Sequence, residues 1–355
     1  MILATVELKL VDKNQNRKYN DYMRYLLVDT ANTFFRARHS AHRQSDTWDK
    51  LGFAIHVTLA SINKSWRDQR ADHVIFCLEG RSWRKDFYEP YKKNRSVARA
   101  ALTESEAEED KLFWETFDNL KTFVAEKTNC SVLQHGELEA DDLIAGWIQS
   151  HPDDHHTIIS SDTDFYQLLA GNVNQYNGIS DELHTLKGIF DKKGKPVIDK
   201  KTKEPKKIPN PQFILFEKCM RGDPTDNVFS AFPGVRTKGS KNKVGLEEAY
   251  SDKDKKGYNW NNMMLQRWVD HNGVEHRVLD DYERNRVLVD LTQQPDAIKI
   301  KMAETIAAAQ VPKNMPMVGA QFLKFCGKYD LIKLSDNASA ISEWLMASYP
   351  QKEHA

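Results

Sequence analysis

Three short apolar runs in the first half of the chain are continuous rather than alternating: Tyr25-Leu26-Leu27-Val28, Val74-Ile75-Phe76-Cys77-Leu78 and Thr157-Ile158-Ile159. Runs of this kind mark strands covered on both faces. Each ends at or beside an acid: Asp29, Glu79 and Asp162. Between the runs, apolar positions recur at helical spacing over residues 53–66, 113–126 and 143–149. Strands alternating with helices predict an α/β fold with a mostly parallel central sheet flanked by helices. In such sheets the site forms beyond the carboxyl ends of the strands, so three acids at three strand ends are expected to meet at one edge.

The second half has a different texture. Asp191-Lys192-Lys193-Gly194-Lys195 predicts a hairpin turn, followed by a lysine-rich strip to Lys207 that reads as a solvated loop. Helical patterns span 213–221, 260–268, 280–291, 322–329 and 340–346, and a Gly- and Lys-rich stretch over 233–257 reads as looped out. The expected organisation is an N-terminal extension over residues 1–24, a catalytic α/β unit over 25–210 and a helical unit over 211–355.

Composition adds limits. The apolar content of 40% supports a real core in a chain of 355 residues, and 29% charge marks a soluble protein. The formal net charge is +0, so bulk charge predicts no polyanionic partner, but the local distribution is uneven. Residues 81–99 carry Arg81, Arg84, Lys85, Lys92, Lys93, Arg95 and Arg99 against Asp86 and Glu89, and the sign reverses over residues 104–110. Four scattered cysteines without a CxxC pair read as reduced thiols rather than a zinc site or disulfide framework. No apolar run approaches membrane-spanning length and the N-terminus has no signal-peptide pattern, so a cytoplasmic protein without a membrane partner is expected.

The candidate chemistry lies in acids. Glu139-Ala140-Asp141-Asp142 opens a predicted helix, and Ser160-Ser161-Asp162-Thr163-Asp164 closes a predicted strand. Two unit charges about 4 Å apart at an effective dielectric near 20 repel by roughly 4 kcal/mol. Converging acids therefore need a counter-charge, for which a divalent cation is the usual solution. Asp223 and Asp226 repeat the three-residue spacing of Glu139 and Asp142.

Taken in order, Leu27-Val28-Asp29, Leu78-Glu79-Gly80-Arg81, Tyr91-Lys92-Lys93-Asn94-Arg95, Glu137 to Asp142, Ser160 to Asp164, Gly222-Asp223-Pro224-Thr225-Asp226-Asn227 and Phe232-Pro233-Gly234-Val235 resemble the flap endonuclease (5′-nuclease) family. The pattern is most similar to its phage ribonuclease H and 5′–3′ exonuclease branch. The resemblance implies a PIN-like sheet, a helical arch built from the basic segment 81–99, and a C-terminal helical subdomain with a helix–loop–helix DNA-binding motif near 213–250. It implies two Mg²⁺ ions, replaceable by Mn²⁺: Asp29, Glu79, Glu139 and Asp141 on the first, and Asp142, Asp162, Asp164, Asp223 and Asp226 holding or orienting the second. Lys92 and Arg84 are expected to touch the scissile phosphate and Tyr91 to stack on a base, with Arg81, Lys93, Arg95, Gly234 and Lys238 binding DNA.

The implied activity is 5′–3′ exonuclease, flap endonuclease and ribonuclease H-type primer removal in phage replication. The implied substrates are branched or 5′-flap DNA and RNA–DNA hybrid. The protein is expected to be a monomer in the host cytoplasm, with a single-stranded-DNA-binding protein or sliding clamp as a further partner. The family usually has Asp where Glu79 stands, and Gly234 is followed by a longer Lys-rich segment than the usual Gly-x-Gly closure. Competing readings are a PIN-like endoribonuclease, which lacks the arch and helix–loop–helix, and a non-catalytic branched-DNA-binding subunit, which would have lost acids that are all present here.

Overall fold

The computed structural model describes residues 22–40, 46–241 and 243–350. The expected N-terminal extension falls almost wholly outside the described residues, and Arg24 already belongs to the first strand.

Seven strands form one sheet: β1 (Arg24–Asp29), β2 (His73–Cys77), β3 (Ser131–Leu133), β4 (His155–Ile159), β5 (Val173–Asn177), β6 (Glu182–Thr185) and β7 (Gly188–Phe190). Their order is β3-β2-β1-β4-β5-β6-β7. The first five pair in parallel, and β6 and β7 extend the sheet as an antiparallel meander. Strand order reverses at β1, which lies between β2 and β4, so a crevice opens at the carboxyl ends of these strands.

Period-two alternation sorts the strand side chains into two layers. Leu26 and Val28 of β1 join Val74 and Phe76 of β2 on one face. Tyr25 and Leu27 join Ile75 and Cys77 on the other. The first face is covered by helices Thr47–Gln69 and Glu104–Lys127, and the second by Ala140–Ser150.

The expectation of one helical unit over 211–355 is corrected. Helices Pro211–Arg221, Leu246–Ser251, Tyr258–Met264 and Val278–Val289 build a separate third cluster. Beyond them the chain returns to the sheet. Asp296–Ala309 packs on the second face, close enough that a Cβ on Gly146 would meet Met302 Cε at 2.7 Å. Val318–Lys328 and Ala338–Met346 cover the first face, where Phe325 stacks on Phe123 with ring centroids 4.4 Å apart. The physical reason is exposed apolar area: the early helices leave parts of both sheet faces bare, and the last helices cover them.

Smaller corrections follow from local pairing. The helix expected over 260–268 stops at Met264, and Arg267–Val269 instead pairs with Glu275–Arg277. The stretch 233–257 contains the helix Leu246–Ser251. All four cysteines are free and buried. No helix among the described residues is long and apolar enough to cross a membrane.

Candidate active site

The crevice at the strand ends is a cleft of about 1080 Å³. Eight carboxylates line it: Asp29, Glu79, Glu139, Asp141, Asp162, Asp164, Asp223 and Asp226. Asp29 is the last residue of β1, and its carboxylate accepts from the Ser160 hydroxyl at 2.7 Å and the Asn32 amide at 3.3 Å. Glu79 follows β2 at a turn that requires glycine next: a Cβ on Gly80 would lie 2.0 Å from the His135 carbonyl oxygen. Glu79 also accepts from the Ala140 amide at the start of helix Ala140–Ser150 (3.2 Å), tying β2 to the Glu139–Asp142 motif. Asp162 follows β4 and accepts from the Asp164 amide at 3.0 Å. Asp223 and Asp226 sit in a tight turn after Gly222, whose φ of +75° and approach to Val228 O favour glycine.

Electrostatics divide the cleft. Burial, reinforced by Glu79, pushes the Asp29 carboxyl up to about 7. Burial, with Asp29 and Glu79, drives Asp141 well above the carboxylate range, and burial with Glu139 raises Glu79. Burial also pushes Asp164 up, to about 6, with Lys218 opposing and Asp162 adding to the rise. Asp162 acts on Asp29, Asp141 and Asp164 alike, which places it between the two groups of acids. Glu139 behaves in the opposite way: burial raises it, but Lys92 and Arg84 outweigh burial and hold it at about 2.

The ligand oxygens of Asp164, Asp223 and Asp226 lie within 4.8 Å of one another, a spacing suited to one cation. The donor set is all oxygen, and the raised carboxyls of Asp29, Glu79 and Asp141 lack an adequate counter-charge, so the residues fit divalent cations. Lys218, unremarked in the sequence, ion-pairs with Asp164 and with Asp223, the latter at 2.8 Å. Its only sequence signal is a basic residue on the last turn of the helix that runs into Gly222-Asp223.

Three expected roles are corrected by burial. Arg84 is 1% exposed and cannot meet a phosphate. Its guanidinium instead donates to Asp142 (2.8 and 2.9 Å), to Glu139 (2.8 Å) and to the Leu288 carbonyl (2.8 Å). Asp142 is fully buried and does not line the cleft. It is saturated by Arg84, the Trp83 indole N–H (3.1 Å), Gln294 (3.2 Å) and the Glu139 backbone amide (3.2 Å), so it is a helix cap and ion-pair partner rather than a metal ligand. Tyr91 is buried in the third cluster, with its hydroxyl 3.1 Å from both Glu139 and Asp226, and presents no face to a base.

Lys92 and Arg95 do line the cleft. Lys92 donates to Glu139 at 2.5 Å and lies 3.5 Å from Asp226, and Arg95 donates to Asp226 at 2.6 Å. The Lys92 turn, with φ +55°, is clasped to the Asp226 turn through Lys92 N to Asp226 O (2.8 Å) and Asn227 Nδ2 to Pro90 O (2.8 Å). Residues 93–108 after it are exposed without a break, and Ser96 and Arg99 of this stretch join Arg95 in the cleft wall. Arg81 and Lys93 lie outside the lining, paired with Asp86 and Glu89. Gly234 occupies a left-handed turn and Lys238 is exposed 3.9 Å from Glu247, both away from the cleft. Besides Tyr166, an aromatic pair lines the cleft: Phe35 against Trp114, ring centroids 4.6 Å apart, with Arg99 over the indole; no sequence motif marked this pair.

The family described as 5′-3′ exonuclease, N-terminal resolvase-like domain, matches residues 24–198. Through residues 24–198 the chain belongs to the 5′-3′ exonuclease family. It is 27% identical over 315 residues to the DNA polymerase I of Rhizobium leguminosarum, across 84% of this chain but 27% of that protein, so it spans about a quarter of this relative's length. Two solved structures share the fold at 18% identity, covering 90% of this chain and 99% of theirs. One is the phage T5 D15 flap endonuclease in a complex with DNA and metal ions (TM-score 0.51), and the other the T5 5′-exonuclease with bound zinc (TM-score 0.53). The expected mostly parallel sheet, helical flanks and helical C-terminal region are therefore those of these two solved structures.

Proposed function

We propose that this member of the 5′-3′ exonuclease family is a structure-specific nuclease dependent on two divalent ions, hydrolysing phosphodiester bonds at 5′ ends and flaps of DNA and of RNA–DNA hybrids. Primer removal during phage replication is the role that fits such an activity. The observation that carries the reading is the convergence of eight carboxylates, drawn from three strand ends, one helix start and one turn, in a single cleft whose mouth is basic. The T5 flap endonuclease of similar fold was crystallised with DNA and metal ions, which supports the same substrate class here.

Asp29, Glu79 and Asp141, with Glu139 behind them, are the candidate ligands of one ion. Asp164, Asp223 and Asp226 are those of the other, with Asp162 between. An all-oxygen set favours Mg²⁺ or Mn²⁺. Metal ions at such a site supply a hydroxide nucleophile at neutral pH and stabilise the departing oxygen. Lys92 and Arg95 grip the phosphate at the mouth, exchanging carboxylate partners for phosphate oxygens. Phe35 and Trp114 offer the stacking surface that Tyr91 does not; base stacking on an aromatic is worth about 1–3 kcal/mol and tolerates any sequence. Arg84 acts from behind by holding Glu139 ionised. The unit 25–210 supplies most of the catalytic cleft and Lys218, Asp223 and Asp226 complete it, while the helix–loop–helix near 213–250 holds duplex DNA by its backbone.

An end-labelled 5′-flap duplex, incubated with and without Mg²⁺, tests this directly. Cleavage near the flap junction only in Mg²⁺ is expected; efficient cutting of unstructured single-stranded RNA in place of the flap would favour an endoribonuclease.

The raised carboxyls also predict a pH signature. An acid whose folded pKa lies above its unfolded value stabilises the fold while protonated, and that stability is lost as pH rises through the folded value. For Asp29 and Asp164 the window runs from the ordinary carboxyl range near 4 to about 7 and about 6. The opposite contribution of Glu139, held at about 2, is lost only below that window. The metal-free protein is therefore expected to show a falling Tm between about pH 4 and pH 7, and Mg²⁺ to raise Tm more at pH 7 than at pH 5. Thermal unfolding in EDTA and in Mg²⁺ measures both; a metal-induced gain independent of pH would contradict the assignment.

A further inference from the structure

The lysine-rich strip that the sequence suggested was a solvated loop is an ordered extension of the sheet. Phe190 bridges to Pro196 and Ile198 to Pro205, while Val197 N donates to Ile189 O and Lys206 N to Val197 O, both at 2.8 Å. Two short antiparallel passes thus continue the meander beyond β7. Between residues 187 and 207 the chain carries nine lysines, no arginine and three acids. Two of the acids are committed internally. Asp191 accepts from the amides of Lys193 and Lys195, and Asp199 from those of Lys201 and Thr202, each at 2.8–2.9 Å. Lys192, Lys193 and Lys195 at the first turn and Lys200, Lys201 and Lys203 at the second are all exposed, and none has an ion-pair partner among the described residues. The extension is joined to the cleft: Tyr166, which lines it, has its hydroxyl 3.0 Å from His184 Nδ1 of β6.

We infer that this platform is a phosphate-backbone contact surface for the duplex arm of the substrate, outside the catalytic cleft. The inference rests on the proposed nuclease reading and extends it to where the duplex lies. The two lysine turns cap opposite ends of three-residue passes, about 10 Å apart at strand rise. A duplex carries one charge per roughly 1.7 Å of axis with both strands counted, so a span of that length carries about six phosphate charges, and a surface along one side reaches those turned toward it. Lysine-only cations without aromatic anchors suit a hydrated polyanion, whereas protein interfaces favour aromatics and Arg and are depleted of Lys. Neighbouring strands are about 5 Å apart, which puts the platform two to three strand widths from Tyr166, within reach of a duplex leaving the cleft on the Asp162–Asp164 side.

The test replaces the six turn lysines by Ala in the full chain and measures binding of 5′-flap substrates under EDTA, over a salt series, with duplex arms of about 8 and about 24 base pairs. For the long arm, affinity is expected to fall about tenfold or more. The slope of log K against log salt should become shallower by about 3–5, at about 0.9 for each phosphate no longer neutralised. The short arm and the single-turnover cleavage rate at saturating substrate should change little, and Tm should be retained. An unchanged salt slope with normal cleavage would overturn the platform while leaving the nuclease reading intact, and would point to an acidic protein as the lysines' partner. Absence of both flap binding and cleavage in the unaltered protein would overturn the two together.

Discussion

Asp141→Asn is expected to slow cleavage of a 5′-flap duplex by at least about 10³-fold, roughly 4 kcal/mol of transition-state stabilisation, while flap binding stays within about threefold. Asp141 lies beside Asp29 and Glu79, and burial together with these two charges drives its carboxyl well above the ordinary range. The amide keeps the shape and removes the charge that a cation would need. The same change relieves repulsion in the metal-free protein, so Tm in EDTA should rise as activity disappears. Single-turnover rates in saturating Mg²⁺, anisotropy with labelled flap DNA and a melt in EDTA give the three readouts. Turnover near the unaltered rate would remove Asp141 from the chemistry; a fall in Tm would mean its carboxylate is a structural partner.

Arg84→Met is expected to cost about 3–5 kcal/mol of stability, the usual consequence of leaving buried acids without their partner. Arg84 is the main charge on Asp142 and one of two on Glu139, and the fully buried Asp142 has no water to replace it. Urea titration measures the change. Coupling distinguishes a structural ion pair from a phosphate-binding role: adding Asp142→Leu to Arg84→Met should recover a large part of the stability, because the stranded charge is then gone. An Arg84→Met protein that is as stable as the parent but binds substrate poorly would restore the role suggested by the sequence. Arg84→Lys should be intermediate, since an ammonium cannot span both Asp142 oxygens and Glu139 as the planar guanidinium does.

The contrast between Asp141 and Asp142 shows where sequence reading stops. Both are acids on the first turn of one helix, and the resemblance treats both as ligands. Adjacent helical positions point about 100° apart, so one turns into the cleft and the other toward Arg84 and Gln294. Which does which depends on the helix's rotation against β1 and β2, set by Leu143, Ile144 and Trp147 in the core. Tyr91 and Lys92 differ in the same way: the backbone turn at Lys92 buries one and opens the other. Lys218 left only its place on a helix's last turn and the Phe35–Trp114 pair left no mark, because Asp164 and Trp114 lie far along the chain from their partners and are brought near only by the fold.

Local patterns were sufficient for other parts of the protein. Continuous apolar runs defined β1, β2 and β4, because strands covered on both faces carry apolar residues at successive rather than alternate positions. Parallel pairing of those strands then required acids at their ends to share one edge, so Asp29, Glu79 and Asp162 could be assigned to a common site before any tertiary neighbour was known. The short strands β5 to β7 and the hairpin 267–277 mix polar and apolar residues and were not legible, since their pairing depends on neighbours rather than on their own pattern. Nor was the return of residues 296–346 to the sheet, which is decided by the apolar area the earlier helices leave bare. Sequence alone thus determined that acids converge at a sheet edge under a basic segment. Tertiary structure decided which acids face the cleft and which are held by Arg84 behind it, because facing is a matter of helix rotation and burial, and neither is written in spacing.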